Sequence, residues 1–187
     1  MTSRRTDLVS EIYDRITKRL TSAEPMVKGM RLAAVSMIIS DEDRPSVLLI
    51  RRAERSGDPW SGQIAFPGGK MQPGDGTALK TAVREASEEV GIDLATSSSF
   101  IGYGQIATTH TGTMEVVPAV FLLRSEVGVT PNEEVASYLW ADLRELAGSR
   151  TTYSLDVEDR AVQMPAFQVG DYIVWGLTHR ILSSVMG

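Results

Sequence analysis

The chain has 187 residues, of which 42% are hydrophobic and 23% charged, with a formal net charge of −5. That balance suits one sizeable globular core and excludes a general electrostatic attraction to nucleic acid. There is no cysteine, so disulfides and thiolate metal sites are excluded, and no apolar run reaches the length needed to span a bilayer.

The N-terminal stretch MTSRRTDLVSEIYDR has no apolar signal segment, which sets the expectation of a cytoplasmic protein with no membrane partner. Leu8, Ile12, Ile16 and Leu20 recur every four residues and predict an amphipathic helix over about 6–20. Its apolar face is a packing surface or, alternatively, a partner surface. Residues 22–29 read as a connector. Arg31–Ser40 and Ser46–Arg52 are apolar and partly β-branched, and the turn at Asp41–Pro45 makes them a hairpin within a sheet. Arg51 and Arg52 end the second strand. Alternate side chains point to opposite faces, so one arginine is surface charge and the other, Arg52, is a candidate to grip phosphate. Ala53–Ala65 is polar and broken by Gly57, Pro59 and Gly62. Trp60 within it either stacks on a base or packs the loop.

The most informative stretch is Phe66–Ile92, FPGGKMQPGDGTALKTAVREASEEVGI. Phe66-Pro67-Gly68-Gly69 and Pro73-Gly74-Asp75-Gly76 turn the chain sharply and let backbone approach a ligand. A helix follows. At about 100° per residue, Leu79, Val83, Ala86 and Val90 form a core-facing stripe. Glu85, Glu88 and Glu89 fall together on another face, since positions three and four apart are neighbours. Gly91 supplies the stop. Three crowded carboxylates are either a solvated face paired with Arg84 or a site for hard divalent cations, Mg²⁺ or Mn²⁺, which prefer oxygen ligands. The glycine loop in front favours the cation site.

Beyond the helix, Phe100–Thr109 and Met114–Leu123 read as strands joined by His110–Thr113. Pro118 implies an edge or a bulge. His110 is read as a loop residue, with a contact to substrate as the lesser alternative, and Glu115 opens its strand with the option of facing a metal site. Pro131–Leu146 carries Glu133 and Glu134, then Val135, Trp140 and a short Leu-rich helix at Asp142–Leu146. Either glutamate is a candidate further carboxylate or base, with a solvated loop as the equal alternative. Arg150–Arg160 is expected to be irregular and mobile. Val162–Met164 and Tyr172–Val174 suit a hairpin turning at Val169–Asp171, and Trp175–Met186 suits a closing helix packed through Leu177, Ile181, Leu182 and Val185. No internal repeat or second domain is visible.

Gly69, Arg84, Glu85, Glu88, Glu89, Gly91 and Ile92 together resemble the Nudix box, G-x5-E-x7-R-E-U-x-E-E-x-G-U with U aliphatic. The first acidic position here is Asp75, the span from Asp75 to Arg84 is one residue longer, and Ala86 stands where a bulkier aliphatic is usual. The loop before the box resembles the motif of the coenzyme A pyrophosphatase group in Leu48, Leu49, Arg52, Ala53, Gly62, Phe66, Pro67, Gly68 and Gly69. It departs from that motif at Ile50, where Thr is usual, and at Asp58, where Arg is usual. Met164–Phe167 and Ile173–Thr178 resemble the C-terminal part of the same group.

The resemblance implies an α/β chain of α+β type, with a mixed β-sheet sandwiched between helices (an α/β/α sandwich), forming a single Nudix hydrolase domain over 1–187 with its box at about 69–92. It implies Glu85, Glu88, Glu89 and the Gly69 carbonyl as metal ligands for Mg²⁺ or Mn²⁺. Glu85 and Glu89 are the implied catalytic glutamates, and Glu85 is the first candidate for the base beside Glu115, Glu133 and Glu134. Arg84 is expected to orient carboxylates, and Arg52, Trp60, Gly68 and Gly69 to contact substrate. The implied reaction is metal-dependent hydrolysis of a nucleoside diphosphate linked to another group. For coenzyme A or its derivatives the products are 3′,5′-ADP and phosphopantetheine. ADP-ribose, other dinucleotides and nucleoside triphosphates are the alternative substrates, and a non-catalytic nucleotide-binding module is the third reading. The expected partner is a small nucleotide, bound by a monomer or homodimer.

Overall fold

A computed structural model describes residues 11–26, 31–40, 44–57, 60–157 and 160–187. Leu8, Asp41, Pro59 and Asp58, all used above, lie outside the described residues. Within them a first helix, α1, runs over residues 11–17, with Ile16 fully buried and Ile12 and Leu20 packed beside the core.

The strands form an eight-stranded mixed sheet and a separate three-stranded one. In the large sheet, β1 (Arg31–Ser40) lies parallel to β7 (Met114–Leu123), in register from Arg31↔Met114 to Ile39↔Leu122. Along its other edge β1 pairs antiparallel with β2 (Ser46–Arg52) only at Ile39↔Val47 and Ser40↔Ser46, and then with β4 (Gly68–Lys70) at Ala33↔Lys70, Ala34↔Gly69 and Val35↔Gly68. The hairpin read from sequence therefore splays. Strand β2 leaves β1 to pair with β3 (Ile64–Ala65) and β8 (Val135–Asp142), and β4 occupies the gap. That gap is where the glycine turn enters the sheet. β5 (Ser98–Tyr103) and β6 (Ala107–Thr108) flank β7 on its outer side.

Pro118 is not at an edge. It sits inside β7 opposite Val35. Its carbonyl accepts from Gly104 N–H at 2.8 Å, so its N-side faces the break between β5 and β6, where no ladder bond is required of it. The irregularity predicted at Pro118 falls in its neighbours.

Period-two alternation divides the sheet into two core faces. Ala33, Met37 and Ile39 of β1 and Val47 and Leu49 of β2 face one cluster, which includes Ile16 of α1 and Ile181, Leu182 and Val185 of α5 (Gly176–Met186). Leu143 and Leu146 of α4 (Leu143–Gly148) join it. Ala34, Ile38, Leu48 and Ile50 face the other cluster under α2 (Ala78–Val90). A short α3 (Leu94–Ser97) follows α2. The result is the expected layer order of helices about a mixed sheet, of α+β class. On the α5 side the layer also includes the small antiparallel sheet of β9 (Arg150–Val157), β10 (Arg160–Val169) and β11 (Tyr172–Trp175).

Two expectations are corrected. Over Arg150–Val157 the segment is not irregular: Thr151, Tyr153, Leu155 and Val157 alternate with polar residues, and it pairs with β10 from Arg150↔Phe167 to Val157↔Arg160. The polar half of an alternating strand masked the signal. Met164 accordingly pairs with Tyr153 of β9, while β11 pairs only with Ala166–Val169.

Helix α2 is also rotated relative to the predicted stripe. Its fully covered apolar positions are Ala78, Ala82, Ala86 and Val90, while Leu79 and Val83 flank the contact. Small residues let the helix backbone come close to the sheet, and Ser36 Oγ donates to the Ala82 carbonyl at 2.7 Å across that contact. Ala82→Leu is expected to cost about 1–3 kcal/mol by overpacking, and Val83→Leu less than about 1 kcal/mol, in urea unfolding. Equal tolerance of the two would contradict the rotated contact.

Candidate active site

Helix α2 starts at an N-cap, Thr77, whose side chain accepts from Lys80 N–H. The Ala78 N–H in the first turn donates to Glu24 Oε1 at 2.5 Å, where negative charge suits the helix dipole. The helix ends at Gly91, in the left-handed conformation at φ 69°, with amide donors returning to Ala86 and Ser87 carbonyls. These ends fix the register in which the acidic residues meet the turn.

The rotation of α2 grades the three glutamates by burial. Glu88 is exposed, Glu85 is half-buried and Glu89 is buried at 3% exposure. Glu89 therefore does not share an open face with the other two. Its Oε2 accepts from Gly68 N–H at 2.8 Å. Burial pushes the Glu89 carboxyl up to about 7; the Gly68 N–H and the charge of Arg52 oppose that rise, and Glu85 and Glu134 add to it. Burial also raises Glu85, against the pull of Arg84 and with the repulsion of Glu88 and Glu134.

Gly68 is sterically required by backbone, whereas Gly69 stands against the end of a side chain. A Cβ on Gly68 would stand 2.5 Å from the Ala34 carbonyl oxygen, and one on Gly69 would stand 2.5 Å from Glu85 Oε1. The turn thus presses the backbone of β4 against β1 on one side and against the Glu85 carboxylate on the other.

Arg84 is the hub that lets these carboxylates coexist. Its Nε and Nη2 donate to Asp75 Oδ1 and Oδ2, both at 2.9 Å. Nη1 lies 2.8 Å from Glu85 Oε1 and 2.9 Å from Glu88 Oε2, and Nη2 also reaches the Lys70 carbonyl at 3.2 Å. Asp75, shorter than the usual glutamate, fills its position because Gln72 N–H and Thr81 Oγ1 also donate to Oδ2 at 2.8 and 2.9 Å. The Arg84 guanidinium, with these donors, holds the Asp75 carboxyl far below the ordinary range, and the same pair raises Arg84.

The loop at 130–134 docks beside Glu89. Thr130 N–H donates to the Val90 carbonyl and Asn132 N–H to the Glu89 carbonyl, each at 2.9 Å. Asn132 Oδ1 accepts from Glu134 N–H at 2.8 Å, and the Glu134 carbonyl accepts from Ala53 N–H at 2.8 Å. Arg55 Nη1 reaches Glu134 Oε1 at 3.1 Å, while Glu133 is a more distant, exposed partner at 3.8 Å. Among the sequence candidates, Glu134 and Arg52 both act on the charge of Glu89, whereas Arg51 pairs with Glu54 at 3.0 Å. Trp60 is 43% exposed on the same loop. Glu115 faces Leu32 and Thr108, while Gly69 faces Ala34; its Oε2 is buried without a hydrogen-bond partner. His110 is exposed. Sequence reading missed Arg55, Glu24 and Thr81. The single arginine in the loop segment 53–65 marks Arg55, but nothing local marks Glu24, which lies 54 positions from the amide it caps.

The arrangement is an open acidic shelf. A hollow of about 500 Å³ lined by Arg44, Trp140, Asp142 and Tyr172 lies at the other end of β2 and β8. Among the described residues no three carboxylate or imidazole groups are gathered as a ready cation cage, because Arg84 holds Glu85 and Glu88 and Gly68 holds Glu89. The donor set nevertheless fits a hard cation: it is all oxygen, and burial disfavours the charged form of its two inner carboxyls, which a cation would favour.

An α+β sheet sandwich with a carboxylate-bearing helix behind a Gly-Gly turn defines a class of phosphoanhydride hydrolases. Residues 30–161 match the NUDIX domain, and the chain belongs to the Nudix family as a pyrophosphohydrolase of pyrophosphate-containing substrates. It is 33% identical over 156 residues to proteins described as uncharacterized Nudix hydrolase NudL in Yersinia pestis (strain Pestoides F) and in Yersinia pseudotuberculosis serotype O:1b (strain IP 31758), covering 81% of this chain and 76% of each relative. In three dimensions it is similar to a MutT/nudix family protein from Enterococcus faecalis, with a TM-score of 0.57 at 18% identity over 96% of this chain and 67% of that one; this likeness concerns the fold. Nudix hydrolases generally use divalent ions such as Mg²⁺ or Mn²⁺. No helix among the described residues is long and apolar enough to cross a membrane.

Two outcomes are expected. Because the folded carboxyl of Asp75 is depressed, its pairing stabilises the protein above the ordinary aspartate range, and this stability is lost as pH falls below about 4. Asp75→Asn should lower stability by on the order of 3 kcal/mol at neutral pH and remove that acid-side slope in denaturation curves; an unchanged slope would contradict the pairing. Gly69→Ala should keep the fold yet cut turnover, since it displaces Glu85, whereas Gly68→Ala should lower the melting temperature because its neighbours are backbone. The reverse pattern would contradict the geometry.

Proposed function

We propose that Glu85, Glu88 and Glu89, with the Gly69 carbonyl, hold Mg²⁺ or Mn²⁺, and that the chain hydrolyses the diphosphate of coenzyme A or its derivatives to 3′,5′-ADP and phosphopantetheine. The observation that carries the site is the pressing of Glu85 and Glu89 onto the Gly68–Gly69 turn, with Glu134 close enough to raise both. Bound there, a divalent ion supplies neutralisation of the diphosphate and acidification of water. The protein's own work is then positional. Arg84 keeps Glu85 and Glu88 apart and aimed. Arg52, at the end of β2, meets phosphate oxygens. Glu134, held by Arg55 and by the Ala53 amide, takes the proton of the attacking water. Trp60 offers a ring for the base.

The coenzyme A reading is supported by the loop Leu48–Gly69 and the tail Met164–Thr178. Asp58, which stands where that group's motif has arginine, favours a second reading, in which ADP-ribose, another dinucleotide or a nucleoside triphosphate is cleaved. We also read 1–187 as one Nudix unit, because α1 and α5 close the same core as β1 and β2. A non-catalytic module would have no use for the crowded carboxylates.

Purified protein with Mg²⁺ or Mn²⁺ and a panel of coenzyme A, acyl-coenzyme A, ADP-ribose and dinucleotides should release 3′,5′-ADP from the coenzyme A members fastest. Brisk turnover of ADP-ribose with none of coenzyme A would overturn the specificity and leave the class. Glu134→Gln should lower kcat by about 10²–10⁴-fold with KM little changed; full activity in that variant would remove Glu134 as base.

A further inference from the structure

The small sheet ends in an unpaired strand. Among the described residues β9 pairs only with β10. An open edge of this kind is a template for another strand, and folded proteins usually blunt it with proline, lysine or a bulge. The sequence of β9, RTTYSLDV, has neither proline nor lysine, and its register with β10 runs without a shift.

The register also says which backbone groups face outward. Ser149 C=O accepts from Gln168 N–H at 2.9 Å, and Pro165, which has no N–H, stands opposite Thr152. Bonded and non-bonded pairs alternate in an antiparallel ladder. Thr151, Tyr153, Leu155 and Val157 therefore bond to β10, and Arg150, Thr152, Ser154 and Asp156 turn their N–H and C=O groups to the free edge. Arg150 and Asp156 are exposed, and neither has an ion-pair partner among the described residues. Tyr153 is held in place by stacking on Trp175, with ring centroids 4.7 Å apart.

We propose that the occupant of this edge is β9 of a second copy of the chain, paired antiparallel about a twofold axis at Tyr153. In that register Arg150 of each copy lies opposite Asp156 of the other, so two ion pairs form on one face. Thr152 meets Ser154 on the same face. On the opposite face Tyr153 meets its own copy and Thr151 meets Leu155. Every charge in the strand finds its opposite, and the outward-facing residues Arg150, Thr152, Ser154 and Asp156 supply the bonding pairs. The two small sheets become one six-stranded sheet, and the contact is isologous, as a closed dimer requires.

The test is sedimentation and light scattering of the full-length protein over a concentration series. The wild type should have twice the chain mass. Arg150→Asp and Asp156→Arg should each be monomeric with unchanged melting and circular dichroism, because each places like charges opposite one another. An equimolar mixture of those two variants, and the double exchange R150D/D156R, should recover the dimer. Ser154→Pro, which removes an outward N–H, should also be monomeric. A monomeric wild type, a dimer indifferent to the single charge changes, or a mixture that stays monomeric would each overturn the proposal. None of these readouts depends on the assignment of the hydrolytic site.

Discussion

Helix α2 lies against the sheet through alanines, and that closeness governs the site. Ala78, Ala82 and Ala86 leave no side-chain bulk between the helix and β1, so Glu89 reaches the Gly68 amide at 2.8 Å. A carboxylate buried this deeply is disfavoured unless it is protonated or met by positive charge. One backbone N–H and the field of Arg52 only partly offset the burial. The fold thus keeps, where the glycine turn opens, a carboxyl that holds its proton unless positive charge replaces it, and a cation is the chemical complement of its ionised form.

Arg84 and Asp75 make the arrangement tolerable in the absence of an ion. The bidentate pair anchors the guanidinium from below, and its remaining nitrogen is divided between Glu85 and Glu88. Arginine suits this role because its planar fork serves several carboxylates from one position. Coordination of an ion would require Glu88, the exposed member, to turn from Arg84, a small movement for a surface side chain. Glu134 arrives on a loop locked to the end of α2 by Thr130 and Asn132, and Arg55 reaches it from the loop after β2.

Much of this was legible in the sequence, for physical reasons. Continuous apolar, partly β-branched runs located β1, β2 and β7 to the residue, and the glycines, Arg84 and the three glutamates marked the turn and the helix. The rotation of α2 was not legible, because hydrophobicity ranked Leu79 and Val83 above the alanines, whereas the close approach of the sheet selected for small size. The role of Asp75 depended on Gln72 and Thr81 supplying donors, which a motif spacing does not encode. Arg55–Glu134 and Glu24–Ala78 join residues 79 and 54 positions apart, beyond any local pattern. β9 was missed because its polar residues, read as a run, concealed the alternation of Thr151, Tyr153 and Leu155.

The central claim is that Glu89 is a buried carboxyl poised for a cation. Its most direct measurement is a pH titration of the Glu89 side-chain carboxyl carbon by NMR, in metal-free protein and with Mg²⁺ present. The account predicts a metal-free midpoint near 7 that falls when the ion is added. A midpoint at the ordinary glutamate value, about 4.3, unmoved by Mg²⁺, would contradict it.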